Sequence, residues 1–413
     1  MALMRPVSRR FVELSLCVAA LSFARQASAQ QDQLQAYTAS APATDAAGHA
    51  ISAAQAAANS DLATFTYTTV SGRDGNTYSG SMVGQDPFGA NFSTTSINTL
   101  IIPVILTTNT IAVKSPNGKI VTTKQGVTVF DPTAADDACL KSPNDVPVTL
   151  MEQSPIFQSE TFQFGPTAVG TTQYIDAFQR ANFWQFVGGT GYHTILTPQV
   201  LAPLIVNLPG KQGLAFPGVC GPLAIVDFDV MLRQVFNQLL VSEGANIDSS
   251  KFPIFLFYNT VMATNSSGGA HCCILGFHAA VTQNAAVAPN KAARVQTYAF
   301  IDFDTEGDFG PAIRDTSIAA HEVGEWMDDP FGNNPTPAWG HTGQVGACQN
   351  NLEVGDPLTG TNIPPVTGAN GFAYHLQELA FFSWFYGAPS IAANGWFSDN
   401  NTFTSDAGPV CTK

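Results

Sequence analysis

Apolar positions along this chain come in two rhythms. Between residues 62 and 148, short runs rich in Val, Ile, Thr and Phe are cut by Gly, Asn, Asp and Pro. That pattern predicts strands at 64–70, at 99–106 around IIPVIL, and at 118–129. Beyond residue 166 the spacing changes. Tyr174, Ile175, Phe178, Ala181 and Phe183 recur at helical intervals within 171–187, and a similar pattern covers 223–240. Strand-like runs follow at 252–261, 273–281 and 295–302. A helix is then predicted with Asp315 or Thr316 as its N-cap and Pro330 as its stop, and a later one over 373–385. The fold class expected is α+β: a β-rich region at 61–165 followed by a metal-binding domain at 166–413.

The ends of the chain read differently. Arg5, Arg9 and Arg10, the apolar stretch from Phe11 to Ala24 and the Ala27-Ser28-Ala29 site predict a secretory signal over residues 1–29. Residues 30–60 are dominated by Ala, Gln, Ser and Thr, with almost no large apolar residue after Leu34. Such a segment buries too little surface to offset its ordering and is expected to be a flexible leader, with His49 idle in it. No later run approaches the roughly 18 apolar residues of a spanning helix. The expectation is a secreted or periplasmic protein, without membrane insertion, cleaved near Ala29.

Charge and cysteines narrow the class. The formal charge of −14 becomes −17 once residues 1–29, with four Arg and one Glu, are removed. That sign disfavours nucleic acid and anionic membranes as partners. Six cysteines then remain: Cys139, Cys220, Cys272, Cys273, Cys348 and Cys411. An even count in an exported chain favours three disulfides. A bridge between the neighbours Cys272 and Cys273 is expected to be excluded by ring strain. A thiolate zinc site would want paired CxxC spacing, which the chain lacks.

The chemistry concentrates at His321-Glu322-Val323-Gly324-Glu325, the zinc-protease pattern HExxH with its last histidine replaced by glutamate. Residues four apart share a helical face, so His321 and Glu325 can hold one cation while Glu322 serves as the proton acceptor. Asp328 and Asp329 return to that face and are rival ligands, although Asp329 before Pro330 also suits a helix end. His341 and His375 are candidate transition-state donors, as loop and helix residues respectively, and Tyr374 could hydrogen-bond an oxyanion. His193, His271 and His278 are expected to be structural. Asp302, Asp304, Glu306 and Asp308 reproduce the first half of a calcium loop, but Ile313 stands where the bidentate Glu belongs, so Ca2+ there competes with a plain acidic turn.

From about residue 272 the order of short motifs is Gly276-Phe277-His278, HEVGE, Asp329-Pro330, Glu353-Val354-Gly355-Asp356, and Tyr374-His375-Leu376-Gln377. This order resembles that of secreted bacterial proteins classed as metallopeptidases and of the plant EXORDIUM or phosphate-induced family, with Gly324 in place of a small Ala and Phe and Trp around 381–385. The resemblance implies a zincin-like fold, with a backing helix, a mixed sheet and an HExxE helix. It implies Glu353 as third metal ligand, Asp356 as a carboxylate orienting a ligand, and His278 on a strand lining the cleft. The expected protein is a secreted zinc-dependent peptidase acting on proteins or peptides. Because two of its three ligands are anionic, Mn2+ and Fe2+ are alternatives to Zn2+. A non-catalytic exported or cell-surface protein that keeps the fold and the metal is the competing expectation, and an amide hydrolase of cell-wall material would use the same constellation.

Overall fold

The structure, a computed structural model, describes residues 41–412 apart from 46–48, 91, 115–119, 135–138, 141, 143, 166, 211, 219, 233–236, 265–270, 284–293, 306–308 and 389. The expected signal, the start of the leader, and Glu306 and Asp308 of the calcium-loop string lie outside the described residues. The strands in chain order are β1 (Ala41–Thr44), β2 (Thr64–Val70), β3 (Thr77–Val83), β4 (Thr95–Lys114), β5 (Ile120–Phe130), β6 (Glu160–Phe164), β7 (Thr167–Thr172), β8 (Thr194–Val200), β9 (Leu204–Leu208) and β10 (Gly213–Pro217). They continue with β11 (Pro222–Asp227), β12 (Phe252–Tyr258), β13 (Thr260–Thr264), β14 (His271–Ile274), β15 (Gly276–Gln283), β16 (Arg294–Phe303), β17 (Pro335–Thr342), β18 (Val345–Asn351), β19 (Val366–Thr367) and β20 (Ala373–Tyr374). The molecule is a strand-rich α+β protein built on one curled mixed sheet.

That sheet runs β1-β15-β16-β12-β4-β10-β11-β13-β14, with β5, β8 and β9 also pairing β4. The long strand β4 is its spine. It carries a proline inside IIPVIL, a residue that cannot donate to a ladder. The partners explain its tolerance: β8 pairs residues 95–101 of β4 and β9 pairs 104–108, so Pro103 falls in the gap between them. The other edge of β4 runs parallel to β12, which runs parallel to β16, which is antiparallel to β15.

Period-two alternation sorts the spine into two cores. On one face lie Ile101, Phe252, Ile254, Leu256, Ala299 and Ile301. On the other lie Leu100, Ile102, Phe255, Phe257 and Phe300. The first face is covered by the helix Ser317–Asp328, which contributes Ile318, Ala319, Ala320, Val323, Trp326 and Met327, and by the helix Tyr174–Asn182 behind it. Trp326 stacks on Phe252 with ring centroids 3.7 Å apart. Two amides tie the helices together: Gln179 Nε2 donates to the Met327 carbonyl at 2.8 Å and Asn182 Nδ2 to Asp328 Oδ2 at 2.6 Å.

Several elements depart from the patterns in the sequence. Residues 223–240 open as β11, drawn into the sheet between β10 and β13, and are helical at Phe228–Val230 and again at Asn237–Ser242. The apolar run 252–261 breaks at Asn259, whose φ of 43° turns the chain from β12 into β13. The stretch 373–385 is not one helix: β20 pairs β19, and only Phe382–Tyr386 is helical. Within 30–60, β1 pairs β15 and the helix Ala53–Ala58, closed by a Ser52–Gln55 capping box, buries Ala56 beside Phe331. Cysteines lie at disulfide distance as Cys139–Cys220, Cys348–Cys411 and, against expectation, Cys272–Cys273. The peptide joining that neighbouring pair is cis, which brings the two Cα atoms to 2.9 Å and lets adjacent sulfurs meet. Among the described residues no helix is long and apolar enough to cross a membrane.

Candidate metal centre

The HEVGE string lies on the helix Ser317–Asp328, all twelve residues of which are buried. A helix sunk on every side cannot leave its carboxylates to water, so Glu322, Glu325 and Asp328 must find partners inside the protein. The helix starts after Asp315, which takes a positive φ of 42° and accepts the Thr316 amide at 2.6 Å. It stops at Asp329, whose two carboxylate oxygens accept the amides of Asn333 at 3.0 Å and Asn334 at 2.8 Å. Gly324 faces Leu379, where a Cβ would come within 2.6 Å of Cδ1.

His321 is held in one tautomer. The amide of Gln377 donates through Nε2 to the Gly355 carbonyl at 2.7 Å, which turns its Oε1 toward His321 Nδ1 at 3.1 Å. An oxygen there accepts, so Nδ1 carries a hydrogen and Nε2 is left facing the other way; without a metal, Glu325 and Asp356 hold the ring well above its ordinary pKa against the desolvation of burial. Nε2 looks onto Glu325 Oε1 at 3.0 Å and Asp356 Oδ1 at 3.5 Å. His321 Nε2, Glu325 Oε1 and Asp356 Oδ1 together could offer a divalent cation a cage of one imidazole and two carboxylate ligands. The cage is close-fitting: a Cβ on Gly355 would fall 2.6 Å from the His321 ring. Glu325 Oε1 also accepts the backbone amides of Gly355 at 3.1 Å and Asp356 at 3.2 Å.

A second imidazole stands on the other side of Glu325. His278 Nδ1 lies 3.4 Å from Glu322 Oε2 and 3.5 Å from Glu325 Oε2, and its Nε2 lies 4.0 Å from Glu353 Oε2. Among the described residues His278 Nε2, Glu322 Oε1 and Glu353 Oε2 are buried with no hydrogen-bond partner. Burial pushes the Glu322 carboxyl up to about 7, against the pull of His278, and the Asp329 carboxyl up to about 6. Burial likewise raises Glu353 and Asp356, and neighbouring Glu325 pushes both the same way. Glu325 moves down although burial opposes it, because His321 and His278 stabilise its charge.

Of the residues expected at the site, His321 and Glu325 group with Asp356, while Glu322 groups with Glu325 and His278. Glu353 lies on the His278 side, while Asp356 of the same EVGD string is the one beside His321 Nε2. Asp328 is bonded to Asn182 and Asp329 closes the helix. His341 is exposed on β17, 3.9 Å from the Cys348 sulfur, and that sulfur is committed to Cys411. His375 is fixed between Asp315 Oδ2, at 2.6 Å from Nδ1, and the Arg314 guanidinium, at 2.6 Å from Nε2. These contacts place both histidines away from Glu322. Tyr374 is buried, its hydroxyl accepting from Asn370 at 2.7 Å. In the calcium-loop string, Asp302 Oδ1 accepts the Thr260 amide at 2.8 Å.

His278 and Gln377 are the residues that spacing arguments passed over. The signal for His278 was its place two residues after Gly276, on the same face of β15. Gly276 has no room for a Cβ, which would fall 2.7 Å from Ile318 and 2.8 Å from Glu322 Oε1, so that face lies against the HEVGE helix. The cavity that adjoins His321, lined by Leu275, Ile313, Ser317, Ile318, Thr359 and Gln377, holds only about 10 Å³. The chain matches no family model, no curated protein and no solved structure.

Proposed function

We propose that this protein is an exported, metal-dependent hydrolase of peptide bonds with a zincin-like arrangement of backing helix, mixed sheet and HExxE helix. His321, Glu325 and Asp356 hold the cation. The observation that carries this reading is the Gln377 amide, oriented by the Gly355 carbonyl, which leaves His321 Nε2 facing two buried carboxylates. A divalent cation bound there supplies Lewis acidity toward a water molecule and a carbonyl oxygen. Glu322 takes the proton given up by the attacking water at Oε1, its oxygen without a hydrogen-bond partner, and returns it to the leaving amine. With two anionic ligands to one imidazole, Zn2+ competes with Mn2+ and Fe2+ for the position. Export is supported by the cysteines at disulfide distance.

A second reading, a non-catalytic protein that keeps the cation for stability, is favoured by one observation. His321, Glu322 and Glu325 are each at most 2 % exposed, and the adjoining cavity is smaller than a substrate backbone. The two readings separate when metal content and casein hydrolysis are measured for the wild type and for Glu322→Gln. Cleavage by the wild type and its loss in a variant that still binds metal support the hydrolase. Metal in both with cleavage in neither supports the stabilising role, and absence of metal from the wild type defeats both.

A further inference from the structure

We propose that the cluster holds two cations, bridged by Glu325, with the second taken by His278, Glu322 and Glu325. The second position rests on the metal reading of the first. Glu325 turns Oε1 to His321 and Oε2 to His278, so its two oxygens serve two different imidazoles. The distances argue for coordination over hydrogen bonding. Charge-assisted N–H···O contacts close to about 2.7–2.9 Å, yet His278 Nδ1 stands 3.4 and 3.5 Å from its two carboxylate oxygens. Ligands bound at about 2.0–2.1 Å and spread at the tetrahedral angle lie about 3.3–3.5 Å from one another. The spacing around His278 matches that of ligands sharing one cation.

Charge points the same way. Glu322, Glu325, Glu353 and Asp356 are buried together, and the ion pairs they make run to His278 and His321. With both imidazoles neutral, one dication leaves two negative charges in the interior, whereas two dications leave none. Within the cluster, the buried atoms without hydrogen-bond partners are His278 Nε2, Glu322 Oε1 and Glu353 Oε2, all on the second side. Glu353 Oε1 is engaged by the Asn351 amide, which leaves Oε2 facing the Nε2 side of the His278 ring, away from the proposed cation at Nδ1. Glu322 can bind through Oε2 and still present Oε1 for proton transfer, so the two roles do not exclude each other.

The test is stoichiometry on the full chain. The protein is stripped with chelator, reloaded with Mn2+, freed of excess by gel filtration, and its metal counted by elemental analysis alongside its electron paramagnetic resonance spectrum. Two manganese ions per chain with an exchange-coupled spectrum are expected. His278→Ala should hold one ion with an uncoupled spectrum, and Glu325→Ala should bind neither tightly. One ion per wild-type chain, or two ions without coupling, overturns the bridged pair while leaving the single-cation site standing. No ion in a folded wild-type chain overturns both, and the wild-type count decides the matter even if His278→Ala fails to fold.

Discussion

Two groups of buried carboxylates sit on the same side of the sheet and are treated in opposite ways. Glu378 is fully buried, but Oε1 accepts from Ser398 Oγ at 2.5 Å and the Thr402 amide at 3.0 Å, and Oε2 from Thr402 Oγ1 at 2.6 Å. Its neighbour Asp399 accepts the Leu379 amide at 3.0 Å. Around His278 and His321 the carboxylates face imidazoles and one another, and three buried polar atoms go without hydrogen bonds. Burial of acid groups therefore does not mark a metal site by itself; the proposed site differs in that, although Glu325, Glu353 and Asp356 accept amides, its carboxylates crowd two imidazoles and one another and oxygens of Glu322 and Glu353 are left without a donor.

The sharpest way to break this contrast is to take the cation away. Chelation of the full chain should lower its melting temperature, and metal restored at about a hundred times its Kd should return about 2.7 kcal/mol. In Glu325→Ala the chelator and the metal should both be without effect, as read by calorimetric scans with and without chelator. Unchanged scans for the wild type would place its acid cluster in the same category as Glu378. Gly355→Ala should come close to the same loss, because the added Cβ meets the rigid His321 ring at 2.6 Å. Titration of the stripped variant with Zn2+ would show it.

Stripped protein should also reveal the cluster by its pH dependence. The folded values of about 7 for Glu322 and about 6 for Asp329 lie above their ordinary values of 4.5 and 3.8. The folded state thus holds these protons more tightly than the unfolded state. The stabilisation is fully present below about pH 4 and is lost as the pH rises toward 7, an effect on the order of a few kcal/mol. Melting of the metal-free chain should fall from pH 4.5 to 7.5, and bound metal should flatten or reverse the trend. A metal-free chain whose stability rises over that range would contradict the assigned burial of these groups.

Gln377 gives a smaller and more diagnostic effect. It touches no substrate and acts on the metal through His321, so it is a positioning residue. Gln377→Ala should weaken Zn2+ binding by about 10–100-fold without changing the number of ions bound, as seen by isothermal titration. Affinity equal to wild type would mean that His321 keeps its tautomer without help.

How much of this could be read from the sequence follows from the range of the forces involved. His321, Glu322 and Glu325 are brought together by the helical repeat alone, and the strands of IIPVIL and 252–258 by local alternation. Asp356 stands beside His321 and Glu353 beside His278, because the turn at Gly355, packed on the His321 ring, separates the two buried carboxylates. His375 is drawn off by Arg314 and Asp315, residues some sixty positions away in sequence. Residues 223–227 carry a helical pattern yet become a strand, since pairing with β10 and β13 outweighs local periodicity.

The least disruptive change should be Asp399→Asn, and its mildness would confirm that the second group is complete without charge. The Tyr174 hydroxyl lies 2.6 Å from Asp399 Oδ2 and 2.7 Å from the Gln377 carbonyl. One hydroxyl proton cannot serve both, and a carbonyl cannot donate. Burial holds the Asp399 carboxyl well above its ordinary range, against the Tyr174 hydroxyl that donates to Oδ2; a proton taken up on Oδ2 would let Asp399 donate to Tyr174 and free the Tyr174 hydrogen for Gln377. An asparagine amide can donate at the same place while its oxygen keeps the Leu379 amide. Asp399→Asn should therefore cost less than about 1 kcal/mol in denaturant melts and leave metal content unchanged, whereas Asp399→Ala strands the Leu379 amide and should cost about 1–3 kcal/mol. A large loss in Asp399→Asn would show that this aspartate is ionised, and the contrast between the two buried groups would then rest on the number of donors alone.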